Sequence, residues 1–181
     1  AQGADLVILG EMFTCPYENS AFVRNAESMD GPTVSMLSRT AQQYHIYVVG
    51  GSFPLRENGK LYNASPVFDR DGKLLAVHRK VHLFDISIEG GQCFRESDTF
   101  AAGDAITVFP TEFGTMGLSI CFDLRFPELY RLMALQGAKC IFCPAAFNWT
   151  TGPMHWELLF RARAVDNQVF LVGCSPAQSE G

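Results

Sequence analysis

The sequence predicts an α/β sandwich, on three observations. Short apolar runs alternate with segments whose apolar residues recur at helical spacing, a pattern that neither all-β nor all-α chains share. Gly, Pro, Asn and Asp punctuate the runs. The 181 residues are 48% hydrophobic and 18% charged, which suits one core: a chain of this size buries roughly 70% of its unfolded surface.

Each element has a local reason. Leu6-Val7-Ile8-Leu9 reads as a buried strand. Pro32 opens a helix, with Val34, Leu37, Ala41 and Tyr44 on one face. Ile46-Tyr47-Val48-Val49 is a second strand, closed by Gly50-Gly51. Val67-Phe68-Asp69 and Leu74-Leu75-Ala76-Val77 flank Asp71-Gly72, a hairpin signal. Residues 81–105 are weakly patterned, and so long a stretch inside a compact domain points to function. Strands follow at Ile106 to Phe109 and Leu118 to Ile120, then a helix from Pro127 closed by Gly137. Cys140 to Cys143 is a strand, Pro153 opens a helix to Asn167, and Val169 to Val172 is the last strand. The chain runs from Ala1-Gln2-Gly3-Ala4-Asp5 straight into a strand and stops at Ser179-Glu180-Gly181 just after one. Residues 1–181 are therefore read as a single domain, incomplete at both ends.

Composition excludes disorder, collagen and coiled coil. The longest apolar run, Cys140 to Phe147, is interrupted by Pro144 and falls short of the roughly 18 residues of a spanning helix, so no membrane partner is expected. With 14 basic residues against 19 acidic ones, a net charge of −5, and no basic cluster, nucleic acid is not an expected partner. The six cysteines lack framework spacing and read as reduced thiols, which points to the cytoplasm, with a mitochondrial form as the alternative.

In open α/β sheets, sites gather beyond the carboxyl ends of strands. Glu11, Lys80 and Cys121 all follow strand ends, and a carboxylate, an ammonium and a thiol supply a base, an oxyanion stabiliser and a nucleophile. Singly, each has a plainer reading: a loop carboxylate, a surface cation, a small buried hydrophobe. Cys140 and Cys143 lie three apart within a strand and face opposite ways, so they are read as structural. His78 and His82 sit outside any helical pattern, and no second pair completes a metal site. No phosphate-cradling or dinucleotide-binding glycine motif occurs. Trp156, Leu159 and Phe160 read as the core face of their helix, and Glu157 with Arg161 as a solvent-side pair.

Gly10-Glu11-Met12-Phe13, His78-Arg79-Lys80-Val81-His82-Leu83-Phe84 and Ser119-Ile120-Cys121-Phe122-Asp123-Leu124-Arg125-Phe126-Pro127-Glu128 resemble, in order, the three signatures of the nitrilase superfamily of carbon–nitrogen hydrolases. Within it, the stretches from His82 to Ile86, Phe147 to Pro153 and Arg163 to Gln168 are most similar to the ω-amidase branch. Members of that branch hydrolyse the terminal amide of 2-oxoglutaramate and 2-oxosuccinamate; deaminated-glutathione amidases are the nearest competing branch. The resemblance implies a nitrilase-type α-β-β-α sandwich, here without the first strand and helix and the C-terminal part. It implies Cys121 as nucleophile, Glu11 as general base and Lys80 as oxyanion cation, joined by the backbone N–H of Phe122. Glu96 matches the second active-site glutamate, Arg125 the residue that holds the substrate carboxylate, and Tyr17, Phe147 and Thr151 pocket positions. A small oxo-acid amide is the implied partner, with a homodimer and no metal, nucleotide or organic cofactor. The thiol of Cys121 needs activation, and Glu11 as base beside cationic Lys80 is expected to favour thiolate formation. Gly10 departs from the usual Pro before the glutamate and is expected to loosen that turn. A catalytically silent scaffold is the reading from another class; the joint presence of Glu11, Lys80, Cys121 and Glu96 argues against it.

Overall fold

The computed structural model describes residues 3–89, 93–148 and 151–176; Trp149, Thr150 and the terminal Ser179-Glu180-Gly181 lie outside them. The first sheet comprises β1 (Leu6–Ile8), β2 (Tyr47–Val49), β3 (Phe53–Glu57), β4 (Lys60–Phe68) and β5 (Leu74–Arg79). Its order is β1-β2-β4-β3, with β1 parallel to β2. The long strand β4 organises it: β2 and β3 pair in succession along one edge, through Val48↔Phe68 and Phe53↔Ala64. β5 returns along the other edge through Ser65↔His78, closing the hairpin predicted at Asp71-Gly72.

The second sheet has the order β11-β10-β9-β8, from β8 (Thr107–Thr111), β9 (Gly114–Leu118), β10 (Cys140–Pro144) and β11 (Phe170–Cys174). β9, β10 and β11 run parallel, and β8 is antiparallel to β9. Val49 and Val67 of the first sheet interlock with Phe109, Met116, Leu118 and Phe142 of the second. Each such burial contributes about 1.5–3 kcal/mol.

Helices cover both outer faces. α1 (Asn19–Arg24) is short; α2 (Pro32–Tyr44) packs Val34, Leu37 and Ala41 on the first sheet. The carboxylate of Glu27 accepts from the Thr33 N–H at 2.8 Å and hydroxyl at 2.7 Å, satisfying an orphan donor in its first turn. α3 (Pro127–Leu135) and α4 (Gly152–Asn167) cover the second sheet through Leu129, Tyr130, Met133, Leu159 and Phe160. The layers are therefore α-β-β-α. Cys140 faces the inter-sheet core and Cys143 the helices, as the odd spacing requires.

Four regions differ from the sequence expectation: α1 is not foreseen, β9 shares only Leu118 with the strand expected at Leu118 to Ile120, and two further regions hide their strands. β3 and the first half of β4 carry Pro54, Arg56, Lys60 and Asn63, which hide the strand pattern, although Phe53, Leu55 and Ala64 join the core under α2 and Asn63 faces the polar site. The weakly patterned residues 81–105 contain the two-stranded hairpin β6 (Asp85–Ser87) and β7 (Cys93–Arg95), followed by a 3-10 turn at Glu96–Asp98. Its strands are too short to show periodicity.

Gly10 needs no glycine-specific space: an added Cβ would meet nothing nearer than the Pro176 ring at 3.7 Å. Gly10→Ala is expected to raise stability by about 0.4–1 kcal/mol through the unfolded chain, read as a higher chemical denaturation midpoint. A lower midpoint would show that the turn uses the glycine.

Candidate active site

The turn after β1 carries Glu11 inward because its backbone is tied on both sides. Glu11 N–H donates to the Ala145 carbonyl at 3.4 Å, and Met12 N–H to Ser52 Oγ at 3.0 Å. Lys80 directly follows β5; its N–H donates to the Asn63 carbonyl at 2.9 Å, and its carbonyl accepts from Gly103 N–H at 2.8 Å. Cys121 opens a 3-10 turn, Cys121–Arg125, between β9 and α3, with φ at +46°. A non-glycine residue there stores about 1–3 kcal/mol of strain, which its surroundings must offset. Asp123 accepts from Ile120 N–H at 3.0 Å, and Arg163 donates to the carbonyls of Leu124 and Arg125 at 3.1 Å each.

The segments of Glu11 and Lys80 meet that of Glu96 at a fully buried ammonium. Lys80 Nζ lies 2.9 Å from Glu11 Oε1 and 2.9 Å from Glu96 Oε2, all three side chains without solvent exposure. Asn63 Nδ2 bridges the carboxylates, 2.8 Å from Oε1 of each. Glu96 Oε2 also accepts from Phe84 N–H at 2.7 Å. Burial by itself would lower the Lys80 pKa, but Glu11 and Glu96 outweigh it and hold the group well above the ordinary lysine value. Tyr17 lies 3.2 Å from Glu11 Oε1 and 3.3 Å from Glu96 Oε1, its phenol kept protonated by burial and by Glu11. Oε1 of Glu11 thus faces three donors, whereas Oε2 is buried with no donor among the described residues. It is an oxygen with room to take a proton.

Cys121 lines a cavity of about 210 Å³, below the roughly 300–1,000 Å³ of drug-sized pockets and suited to a small molecule. Phe84, Phe94, Phe122 and Phe147 form apolar walls; Tyr17, Arg125 and Thr151 add polar groups. Arg125 lies over the Phe122 ring at 5.4 Å and the Phe147 ring at 5.9 Å, and its Nη2 donates to His155 Nδ1 at 3.1 Å. Among the described residues no carboxylate pairs with it.

The electrostatics bear on how the thiol is activated. Lys80 lowers the Cys121 pKa, but burial and the Glu11 carboxylate raise it more, so the thiol sits well above its ordinary value. The resting group is a thiol, and a thiolate has to be made by proton transfer.

The structure brings Glu11, Tyr17, Lys80 and Glu96 into one hydrogen-bonded cluster, and places Tyr17, Cys121, Phe122, Arg125, Phe147 and Thr151 around one cavity. Sequence reasoning missed Asn63, which sits in the unrecognised half of β4, and His155, one turn after Thr151. It also set His78 and His82 aside: both bind Asp123.

Residues 1–180 match the carbon-nitrogen hydrolase family, and the chain belongs to that family. It is 51% identical over 178 residues to a hydrolase of Schizosaccharomyces pombe, covering 97% of this chain and 55% of that protein. It is 48% identical over 179 residues to the omega-amidase NIT2 of Danio rerio, covering 99% of this chain and 65% of the relative. The crystal structure of Saccharomyces cerevisiae Nit3, a member of branch 10 of the nitrilase superfamily, superposes with a TM-score of 0.87 at 42% identity, covering 98% of this chain and 64% of Nit3. The chain thus spans between about half and two thirds of the length of these relatives.

Two outcomes follow for the isolated site. Alkylation of Cys121 by a neutral thiol reagent without an amide group should stay slow at neutral pH and rise only above the free-cysteine value of about 8.5, followed by peptide mass spectrometry. A plateau already at neutral pH would mean a resting thiolate. Gly103→Ala would set a Cβ 2.2 Å from the Arg79 carbonyl oxygen, forcing the backbone beside Lys80 to move. We expect a loss of activity of about 10²-fold, the scale of an ångström of misplacement; wild-type rates would show that Lys80 tolerates the shift.

Proposed function

We propose that this chain carries the catalytic centre of an ω-amidase that hydrolyses the terminal amide of 2-oxoglutaramate or 2-oxosuccinamate to the 2-oxo dicarboxylate and ammonia. The observation that carries this reading is the pairing of Cys121 with an arginine, without a carboxylate partner among the described residues, in one small cavity beside the buried Glu11–Lys80–Glu96 cluster. Likeness to an omega-amidase over nearly the whole chain supports it.

In this mechanism the Cys121 thiol gives its proton to Glu11 Oε2 as sulfur bonds to the amide carbon. Lys80 and the Phe122 N–H receive the oxyanion; loss of one such donor costs about 10²–10³ in kcat. Glu11 passes the proton to the amide nitrogen, the C–N bond breaks and ammonia leaves a thioester. Water then adds, with Glu11 taking its proton, the C–S bond breaks, and the proton returns to sulfur. The sum is R–CO–NH2 + H2O → R–COO⁻ + NH4⁺, with no metal or organic cofactor called for. Glu96 acts through Lys80, which it holds with Asn63. Arg125 offers a planar fork to the oxo-acid carboxylate, with Thr151 beside it.

The same reading makes the protein a cytoplasmic homodimer. Met154, Leu158 and Val165 recur on one exposed face of α4, with Phe170 exposed nearby in sequence, which favours a covered surface there. Among the described residues no helix is long and apolar enough to cross a membrane.

Ammonia release from 2-oxoglutaramate, beside deaminated glutathione and simple aliphatic amides, tests the proposal. Cys121→Ala should abolish release and leave the fold intact, while an amide-bearing electrophile labels Cys121 of the wild type stoichiometrically. Turnover by the alanine variant would end the covalent mechanism. Arg125→Lys should lower kcat/KM for oxo-acid amides by about 10- to 150-fold, the worth of a charged hydrogen bond, and spare amides without a carboxylate. Equal losses on both would remove the carboxylate from the assignment, and preference for deaminated glutathione would move it to the neighbouring branch.

A further inference from the structure

Asp123 is buried two residues after Cys121 and accepts four hydrogen bonds. Oδ2 takes Ile120 N–H at 3.0 Å and His78 Nε2 at 3.0 Å; Oδ1 takes His82 N–H at 2.9 Å and His82 Nδ1 at 2.8 Å. These groups flank two other residues in the chain. His78 and His82 stand two residues either side of Lys80, and Ile120 with Asp123 brackets Cys121. One carboxylate therefore grips the chain on both sides of the ammonium and on both sides of the thiol. Thr107 Oγ1 completes the set, 2.9 Å from His78 Nδ1, so both ring nitrogens of His78 are held by hydrogen bonds.

We infer that Asp123, through His78 and His82, is a positioning group that sets the distance between Lys80 and Cys121. The inference rests on the reading of these two as oxyanion cation and nucleophile. Lys80 is bonded through its backbone to Asn63 and Gly103, on the side of the first sheet, whereas Cys121 rides on the turn that follows β9 of the second. The sheets meet through apolar side chains, Val49 and Val67 against Leu118 and Phe142, and such contact is non-directional. It resists separation far better than sliding. The Arg70–Glu112 ion pair at 2.6 Å ties the sheets at the opposite end of β5; at the site end the Glu11 N–H to Ala145 carbonyl bond ties β1 to β10, and Asp123 ties the segment of Lys80 to that of Cys121. Oxyanion stabilisation needs its donors within a few tenths of an ångström, so a directional, charge-assisted link at this point has a chemical purpose beyond holding the layers together. It also holds Asp123 in the ionised form: burial would raise its pKa, but His78 and His82 bring it well below the usual carboxylate range.

His82 allows a clean test because it makes two separable contacts. Its Nδ1 bonds Asp123, and its ring stacks on Phe126 at 3.5 Å with an interplanar angle of 7°. In the intact protein, His82→Asn keeps an N–H donor near the Nδ1 position and loses the stack; His82→Phe keeps the stack and loses the donor. With kcat and KM for ammonia release measured together, His82→Asn should stay within about 3-fold of wild-type kcat, and His82→Phe should lose about 10- to 100-fold at unchanged KM. Asp123→Asn should lose at least as much, since its amide can accept from His82 but leaves Ile120 N–H without an acceptor. If the order reverses, with the phenylalanine variant the more active, or if neither variant differs from wild type, the side chain is packing and the inference is overturned. Should Asp123→Asn fail to fold, the His82 pair decides alone, because that side chain is 27% exposed. The second readout is the rate of Cys121 alkylation by 2-chloroacetamide, which needs the same carbonyl contact but no turnover. If the wild type releases ammonia from none of the amides, the substrate reading fails, and the alkylation rates, in the order wild type ≈ His82→Asn > His82→Phe or its reverse, still decide the positioning claim.

Discussion

An ammonium with no solvent exposure, held between two equally buried carboxylates, is the constraint around which this molecule is arranged. Taking those ions out of water costs several kcal/mol each, and their attraction offsets this only with close geometry and further hydrogen bonds. The structure supplies both. Asn63 joins the carboxylates, Phe84 N–H occupies Glu96, and Tyr17 reaches toward each. These groups come from the turn after β1, the middle of β4, the end of β5 and the loop around the β6–β7 hairpin, so no single element can be displaced without exposing or unpairing a charge.

This arrangement decides what the neighbouring thiol can be. With two carboxylates against one ammonium, the cluster carries a net negative charge when all are ionised, and a second anion on sulfur is unfavourable. Burial acts in the same direction, so Cys121 rests as a thiol. In the proposed mechanism the proton moves between sulfur and Glu11 Oε2, which leaves the net charge of the buried cluster and thiol unchanged as the bond to carbon forms. In that mechanism the oxygen without a donor among the described residues has a chemical use.

Much of this was legible in the sequence where an apolar run ends in a functional residue. β1 and β5 are visible as hydrophobic stretches, and the expected strand Leu118 to Ile120 catches the end of β9; the residues just beyond them, Glu11, Lys80 and Cys121, stand out because polar side chains after such ends have a place to converge. Glu96 is not visible that way. The hairpin before it is too short for a period, and only the family resemblance marks it. Asn63 is hidden by its own strand, whose inward face is polar precisely where it serves the cluster and so breaks the alternation that would reveal it. The upward push on the Cys121 thiol was not legible, because residue types show that a cation is near but not how much water has been removed. Asp123 and the two histidines were passed over for a similar reason: a fully satisfied carboxylate looks like any other until its donors are located in space.

Neutron diffraction from crystals of the resting protein, exchanged into heavy water at neutral pH, tests the central claim most directly. The account predicts three deuterons on Lys80 Nζ, one on Cys121 Sγ, and none on Glu11 Oε2. A bare sulfur with a deuteron on Glu11, or a neutral Lys80 amine, would contradict it.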